Sequence, residues 1–217
     1  MSTRPPAIDD RLLNTAVDQF GRFGLEGAST RAIAAAAGTA MSSITYHFGG
    51  KEGLYLAAAR HIAACIRERL REPVSRSSAL AAADGIDAAI DALMATVDGF
   101  IGIMTASESA PWARFMVREQ MAPTAAFDIL YAEVMEGMAR HATSLLMRIG
   151  GDRLGEQEAR LKALAIFGQA LVFRVARATV LRTTGWTDIT APETAAIRAT
   201  VRSHTIAILE SIRGDRP

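Results

Sequence analysis

The residues with the most evident chemistry stand close together. Met41, Ser42, Ser43, Thr45, Tyr46 and His47 fall within one short stretch, and Lys51 follows. So dense a run of hydroxyls is poorly suited to burial, because each hydroxyl taken from water without a partner costs roughly 1–3 kcal/mol. On an exposed helix the same side chains suit nucleic acid. Tyr46, His47 and Lys51 have the reach to meet phosphates at a groove edge and set register. Ser42, Ser43 and Thr45 are short enough to touch base edges, and Met41 suits a thymine methyl group. Just upstream, Thr30 opens a helix, where free N–H groups favour a phosphate. Arg31 suits a two-pronged guanine contact, worth roughly 1–3 kcal/mol of discrimination.

Three neighbouring positions supply the elements that would hold these side chains. Ala34 is small enough for a second helix to approach the first, Gly38 tolerates the left-handed conformation of a tight turn, and Ile44 can plug the second helix onto a shared core. The spacing 34, 38, 44 is that of a helix-turn-helix, whose second helix enters the DNA major groove. An ordinary pair of short core helices would not carry so polar an outward face. Through Glu52 this module holds five basic residues (Arg4, Arg11, Arg22, Arg31, Lys51) and five acidic ones (Asp9, Asp10, Asp18, Glu26, Glu52). With no net charge to attract phosphate, binding must lean on geometry and on a second copy, which predicts a homodimer on a double-stranded operator.

Composition narrows the other possibilities. The chain has 217 residues, 50% apolar, 22% charged and 6% aromatic, with a net charge of +1, so it can bury a sizeable core without staples. Only Lys51 and Lys162 are lysines; the other basic residues are arginine. A single cysteine, Cys65, excludes an internal disulfide framework and any multi-cysteine metal site. His47, His61, His141 and His204 lie far apart in sequence, so no metal-ligand spacing is present, and no cofactor is expected. His61 and Cys65 are four apart on one helix, but two groups do not make a site, and a packed thiol is the simpler reading. No apolar run is read as approaching the ~20 residues of a membrane span, and the opening MSTRPPAIDD lacks the core of a secretory signal. The expectation is a soluble, cytoplasmic protein. No glycine-rich phosphate loop, nucleophile elbow or metal motif points to an enzyme.

Apolar residues recur at helical spacing almost throughout, and alanine, the best helix former, is abundant. The fold class expected is all-α, an N-terminal three-helix module followed by a C-terminal antiparallel bundle. Helices are expected at 8–23, 29–37, 41–47 and 51–72, then over 86–104, 111–121 and 156–184, with one after Pro123 that carries Phe127 to Ile149 and a last one carrying Ile197, Val201, Ile208 and Ile212. Residues 73–84 read as a loop because Pro73 should stop the helix before it. The domains expected are a flexible N-terminus at 1–8, a DNA-binding module at 9–50, a connecting helix at 51–72, and a ligand-binding and dimerisation domain at 73–217.

Within the rear domain, a groove between helices is where a small molecule would bind. Arg114 and Arg118 share a helix face amid Trp112, Phe115 and Met121, and suit a cationic anchor in a pocket completed by Phe127 and Met135; internal ion pairing is the competing reading. Two or three of Met94, Met104, Met116, Met121, Met135 and Met138 would make such a wall adaptable, the rest being plain core. Leu161, Ala165, Gly168, Leu171, Val172 and Val175 form a stripe with small residues that lets another helix come close. Together with Val201 and Ile208 of the last helix it suits a dimer interface, intramolecular packing being the alternative.

The segment Phe20-Gly-Arg-Phe-Gly-Leu-Glu-Gly-Ala-Ser-Thr-Arg31, with Ile33-Ala34, Gly38 and Ile44-Thr-Tyr-His-Phe-Gly-Gly-Lys-Glu-Gly-Leu54, closely resembles the TetR family of bacterial transcriptional regulators over roughly residues 9–60. Thr39 departs from the apolar residue usual after the turn glycine. The stretches 109–124 and 166–186 resemble the CecR-type C-terminal domain within that family. The resemblance implies an all-helical homodimer with DNA contacts at Thr30, Arg31, Met41, Ser42, Ser43, Thr45, Tyr46, His47 and Lys51. It implies a repressor released from a palindromic operator by a small-molecule effector. Two alternatives remain open: a scaffold of the same fold that recruits a protein partner, and an enzyme, which would need an aligned nucleophile–base pair in a cavity.

Overall fold

A computed structural model describes residues 8–214, all of its regular elements being helical. Most of the flexible N-terminus expected at 1–8 therefore lies outside the described residues. The helices are α1 (Ile8–Gly27), α2 (Thr30–Ala37), α3 (Met41–Phe48), α4 (Lys51–Ala81), α5 (Ile86–Thr105) and α6 (Ala110–Met121). They continue with α7 (Ala125–Leu130), α8 (Glu136–Gly150), α9 (Glu156–Val175), α10 (Arg177–Thr184) and α11 (Ala191–Arg213). Two compact units result, one from Met1–Ile66 with Ala110–Val134, the other from Arg67–Ser109 with Met135–Pro217.

In the first unit, Leu12, Ala16, Val17 and Phe20 line the buried face of α1. Gly24, at φ 73°, breaks its helical backbone, where the sequence places the stop. Ser29 then caps α2 by accepting from the Ala32 N–H at 3.3 Å, and Gly38 ends it in the left-handed conformation (φ 64°). Helices α6 and α7 pack here, contrary to the expected rear domain spanning 73–217. The reason is the bare face of α1 at Gly21: a Cβ there would lie 3.2 Å from Arg114 Cβ and 3.3 Å from the Pro111 carbonyl oxygen. A side chain at residue 21 would press α6 outward by a few tenths of an ångström. The Tyr55 ring of α4 ties the unit together, meeting Phe20 edge-on at 4.9 Å and stacking on Phe115 at 4.6 Å between ring centroids.

The second unit is built round α5. Leu93, Val97 and Ile101 meet Leu145, Leu146 and Ile149 of α8, Ile166 of α9, and Ile197 and Leu209 of α11, all buried. Helix α5 is long and apolar enough to cross a membrane, but half of its most apolar stretch is buried inside this core, as a central core helix requires. The expected loop at 73–84 is largely helix, because α4 runs on through Pro73 to Ala81. Proline forfeits one backbone hydrogen bond there. Its ring rests against Gly99, and one turn later the fully buried Ser77 hydroxyl donates to the Ala92 carbonyl at 2.8 Å. The guanidinium of Arg148 closes the end by donating to the carbonyls of Ala81, Ala83 and Gly85. The helix expected over 156–184 is instead divided at Ala176, where α9 and α10 bend by 80°. Residues Tyr131–Met135 form a π turn ahead of α8.

A Cβ on residue 99 would come within 2.5 Å of the Pro73 ring, which cannot swing aside. The variant Gly99→Ala should lose roughly 1–3 kcal/mol in urea unfolding by overpacking, although alanine is the better helix former.

Candidate nucleic-acid interface

Helix α3 buries Ile44 alone among its side chains, at 1% exposure. The chain reaches it through a turn closed by the Gly38 and Thr39 N–H groups, which donate to the carbonyls of Ala35 and Ala34 at 3.1 and 3.0 Å. With Ile44 pinned inward, the remaining face turns to solvent. Tyr46 is 86% exposed and Met41 48%; Ser42, Thr45 and His47 are exposed, and Ser43 is half-buried. Arg31 is exposed on α2, beside half-buried Thr30. The Tyr46 and His47 rings meet edge-on at 5.0 Å, which presents two flat polar tips side by side. Residue Ala40, before α3, offers no side-chain cap, so the first N–H groups of that helix have no local side-chain acceptor. Lys51 is half-buried and its ammonium donates to the Glu26 carbonyl at 2.8 Å, closing the end of α1.

The residues expected to line an effector pocket are distributed differently. Arg114 pairs with Asp18 at 2.7 Å, and the other oxygen of that carboxylate holds Arg22 at 2.8 Å. Arg118 donates to the carbonyls of Gly21 and Arg22, at 2.9 and 2.7 Å. Those carbonyls lie where Gly24 interrupts the helix, so the guanidinium supplies donors that the broken ladder no longer provides. Both arginines clamp α6 to α1, which is the internal pairing weighed above and a correction to the cationic anchor. Trp112 and Phe115 are buried, Met121 is 82% exposed, and Phe127 stacks on Tyr131 at 6.0 Å. Met135 is half-buried and belongs to the second unit. Two open grooves of about 270 Å³ each lie on the second unit, and none of these residues lines either. One is bordered by Lys162, Ala207, Ile208 and Ser211; the other by Ile86, Arg148–Gly151, Arg153 and Arg213.

Along α9, Leu161, Leu171, Val172 and Val175 are 44–58% exposed, and Ala165 and Gly168 are exposed with them. Leu164, absent from the sequence reading, adds 63% exposure to the same surface. Its spacing of three from Leu161 was the available signal. Val201 is corrected: at 1% exposure it belongs to the intramolecular core, whereas Ile208 is half-buried at the first groove.

Ser77 and His141 form a serine–histidine pair, with Oγ and Nε2 2.7 Å apart. It is not a nucleophile with access to substrate. Ser77 is 0% exposed, and its hydroxyl also contacts the Ala92 carbonyl and the Thr96 hydroxyl, each at 2.8 Å. Glu119 of α6 is similarly internal, accepting from the Tyr55 hydroxyl at 2.6 Å and from Thr124 N–H at 3.0 Å. Burial, then this bond to a carboxylate, pushes the Tyr55 phenol well above its ordinary range. His61 lies 2.9 Å from Asn14 Oδ1 and 3.7 Å from Cys65 Sγ, and burial lowers its pKa.

Fold and exposed α3 face define a helix-turn-helix protein. Residues 12–58 match the bacterial regulatory proteins of the tetR family, and residues 89–212 match the C-terminal domain of the HTH-type transcriptional dual regulator CecR. The chain is 34% identical over 214 residues to the dual regulator CecR of Shigella flexneri, spanning 98% of this chain and 96% of that one. It is 46% identical over 57 residues to the regulatory protein RaaS of Mycobacterium tuberculosis, about 26% of each chain. Its fold is shared with a TetR-family regulator from Mesorhizobium loti (TM-score 0.63, 17% identity, covering 97% of this chain and 98% of that one). A second, from a Shewanella species, has a TM-score of 0.60 at 21% identity, covering 94% and 96%. The chain belongs to the TetR family of transcriptional regulators, with a CecR-type C-terminal domain. It is a DNA-binding regulator and not an enzyme.

Two measurements check the internal roles assigned here. Arg118→Ala should destabilise the protein by about 1–3 kcal/mol, since it strips charged donors from backbone carbonyls. Arg114→Ala, which breaks an exposed ion pair, should cost ~0–1 kcal/mol. For His141, burial holds the pKa below its ordinary 6.5. As pH falls through that value, the unfolded chain takes up a proton that the folded protein resists, so stability declines on acidification. The melting temperature should drop between about pH 7.5 and 5.5, and His141→Asn should remove part of that slope while His61, shifted the same way, retains the rest.

Proposed function

We propose that the protein binds a palindromic operator as a homodimer, represses transcription there, and is released by a small-molecule effector held in its second unit. The observation that carries this reading is the outward face of α3, whose side chains are exposed because Ile44 alone does the packing. Ser42, Ser43 and Thr45 would read base edges, with Met41 against a thymine methyl. Tyr46, His47 and Thr30 would meet phosphates, with Lys51 fixing the edge of the module, and Arg31 would address guanine. The relative's description as a dual regulator supports activation at some promoters as well as repression at others.

The α9 face of Leu161, Leu164, Ala165, Gly168, Leu171, Val172 and Val175 supplies the surface for the second copy. Two recognition helices ~34–36 Å apart would enter successive major grooves. Helix α4 contributes residues to both units, so an effector that wedges the second can tilt it and spoil that spacing. A hundredfold loss of operator affinity needs ~2.7 kcal/mol of coupling, within the ordinary allosteric range. The protein acts in the cytoplasm, where its operator is. A partner-recruiting scaffold would instead offer the α9 face to another protein and remain monomeric when purified.

Tyr46→Ala and Arg31→Ala should leave thermal stability unchanged while weakening operator binding in fluorescence anisotropy. The Arg31 change should cost ~1–3 kcal/mol and relax specificity at one base pair. Leu164→Glu should convert a dimer to a monomer in light scattering and abolish tight operator binding. A wild type that is already monomeric at micromolar concentration would overturn the dimer reading.

A further inference from the structure

Arg174, in the last turn of α9, is only 8% exposed. A buried guanidinium ordinarily meets a carboxylate and satisfies several of its donors, because an unpaired charge in the interior is costly. Arg174 does neither. Its Nη2 donates to the carbonyl of Ala106, a neutral group, and its Nε–H has no acceptor. Among the described residues no carboxylate forms an ion pair with it. The nearby charges are already committed: Glu108 is bound to Arg69 at 2.6 Å, and Arg177 is paired with Asp188. Burial and the field of Arg177 both work against the charge on Arg174, and Glu108 only partly offsets them. Arg174 is thus a buried positive charge without an ion-pair partner among the described residues. On the same helix, about 7.5 Å towards its start, Gln169 has both amide atoms shielded and unpartnered. Helix α9 therefore carries shielded polar atoms that have no hydrogen-bond partner among the described residues.

We propose that Arg174 anchors the effector of this regulator and that the effector is an organic monocarboxylate. One unpaired positive charge calls for one negative charge. A carboxylate can place one oxygen on the orphan Nε–H and the other on an adjacent N–H of the same planar fork. Met104 and Phe173 lie part-buried against the core of the same unit and supply apolar surface there. This inference rests on the reading of the second unit as the effector-binding one and adds the residue and the chemical class.

The test uses the full-length protein labelled with nitrogen-15, with the Arg174 Nε–H resonance assigned. Hexanoate, benzoate and phenylacetate are titrated, each against its own primary amide. The expected result is that at least one carboxylate raises the melting temperature and moves the Arg174 resonance while its amide does neither. Arg174→Lys, which keeps the charge but loses the fork, should weaken that carboxylate about tenfold or more. Amides acting as well as carboxylates, or an Arg174 resonance that no carboxylate moves, would overturn the proposal, and neither readout depends on a variant folding. Operator binding in the same titration separates the two readings. A carboxylate seated on Arg174 that leaves operator affinity unchanged removes effector-driven release but keeps this site. Release by a carboxylate with a silent Arg174 resonance does the reverse.

Discussion

One buried side chain, Ile44, is the contact on which the DNA-binding surface depends. Helix α3 spans Met41–Phe48, too short to persist in water by itself, since nucleating a helix costs more than two turns return. It has no side-chain cap at its start and is closed by Gly49 in the left-handed conformation. What holds it is tertiary: Ile44 in the core, and the Gly38 turn that aims it. Because so little of α3 is engaged in packing, nearly all of its surface is free for recognition. The same economy makes the module sensitive to whatever fixes the elements behind it.

Those elements are fixed by a second device, the clamp of α6 on α1. Gly21 removes a side chain so that the helices touch, and Gly24 breaks the backbone ladder just beyond. Arg118 then satisfies the carbonyls the break exposes, and Asp18 holds Arg114 and Arg22 together. Tyr55, wedged between Phe20 and Phe115 and bonded to Glu119, joins the start of α4 to this arrangement. The two arginines that suit a ligand anchor in the sequence are thus fastenings of the DNA-binding unit. In the second unit the balance is reversed, for there the Arg174 Nε–H and the Gln169 amide are shielded without a partner among the described residues.

The front of the molecule is legible from sequence because its rules are local. The spacing of Ala34, Gly38 and Ile44, and the stops at Gly24 and Gly49, act within a few residues of themselves. The α1–α6 clamp is not local: Arg114 and Asp18 are 96 residues apart, and two arginines at helical spacing fit a pocket or an ion pair equally well until the partner is seen. Pro73 misleads for a related reason. Its cost to the helix is intrinsic, but the Gly99 recess and the Ser77 bonds that outweigh it come from another element. Val201 lies on an apolar stripe, and periodicity alone does not say which of two partners that stripe meets. A lone arginine in the apolar run Ala170-Leu-Val-Phe-Arg-Val175 is the signal that could have singled out Arg174.

In the proposed function, the α3 face recognises one DNA sequence through a pair of copies. Selection of genomic fragments bound by the purified protein, repeated at two salt concentrations, tests it most directly. The expected result is enrichment of a palindromic site whose half-sites are one helical turn apart, about 10–10.5 base pairs, with affinity falling steeply as salt rises. Enrichment of an asymmetric single half-site, or salt-sensitive binding with no preferred sequence, would contradict it.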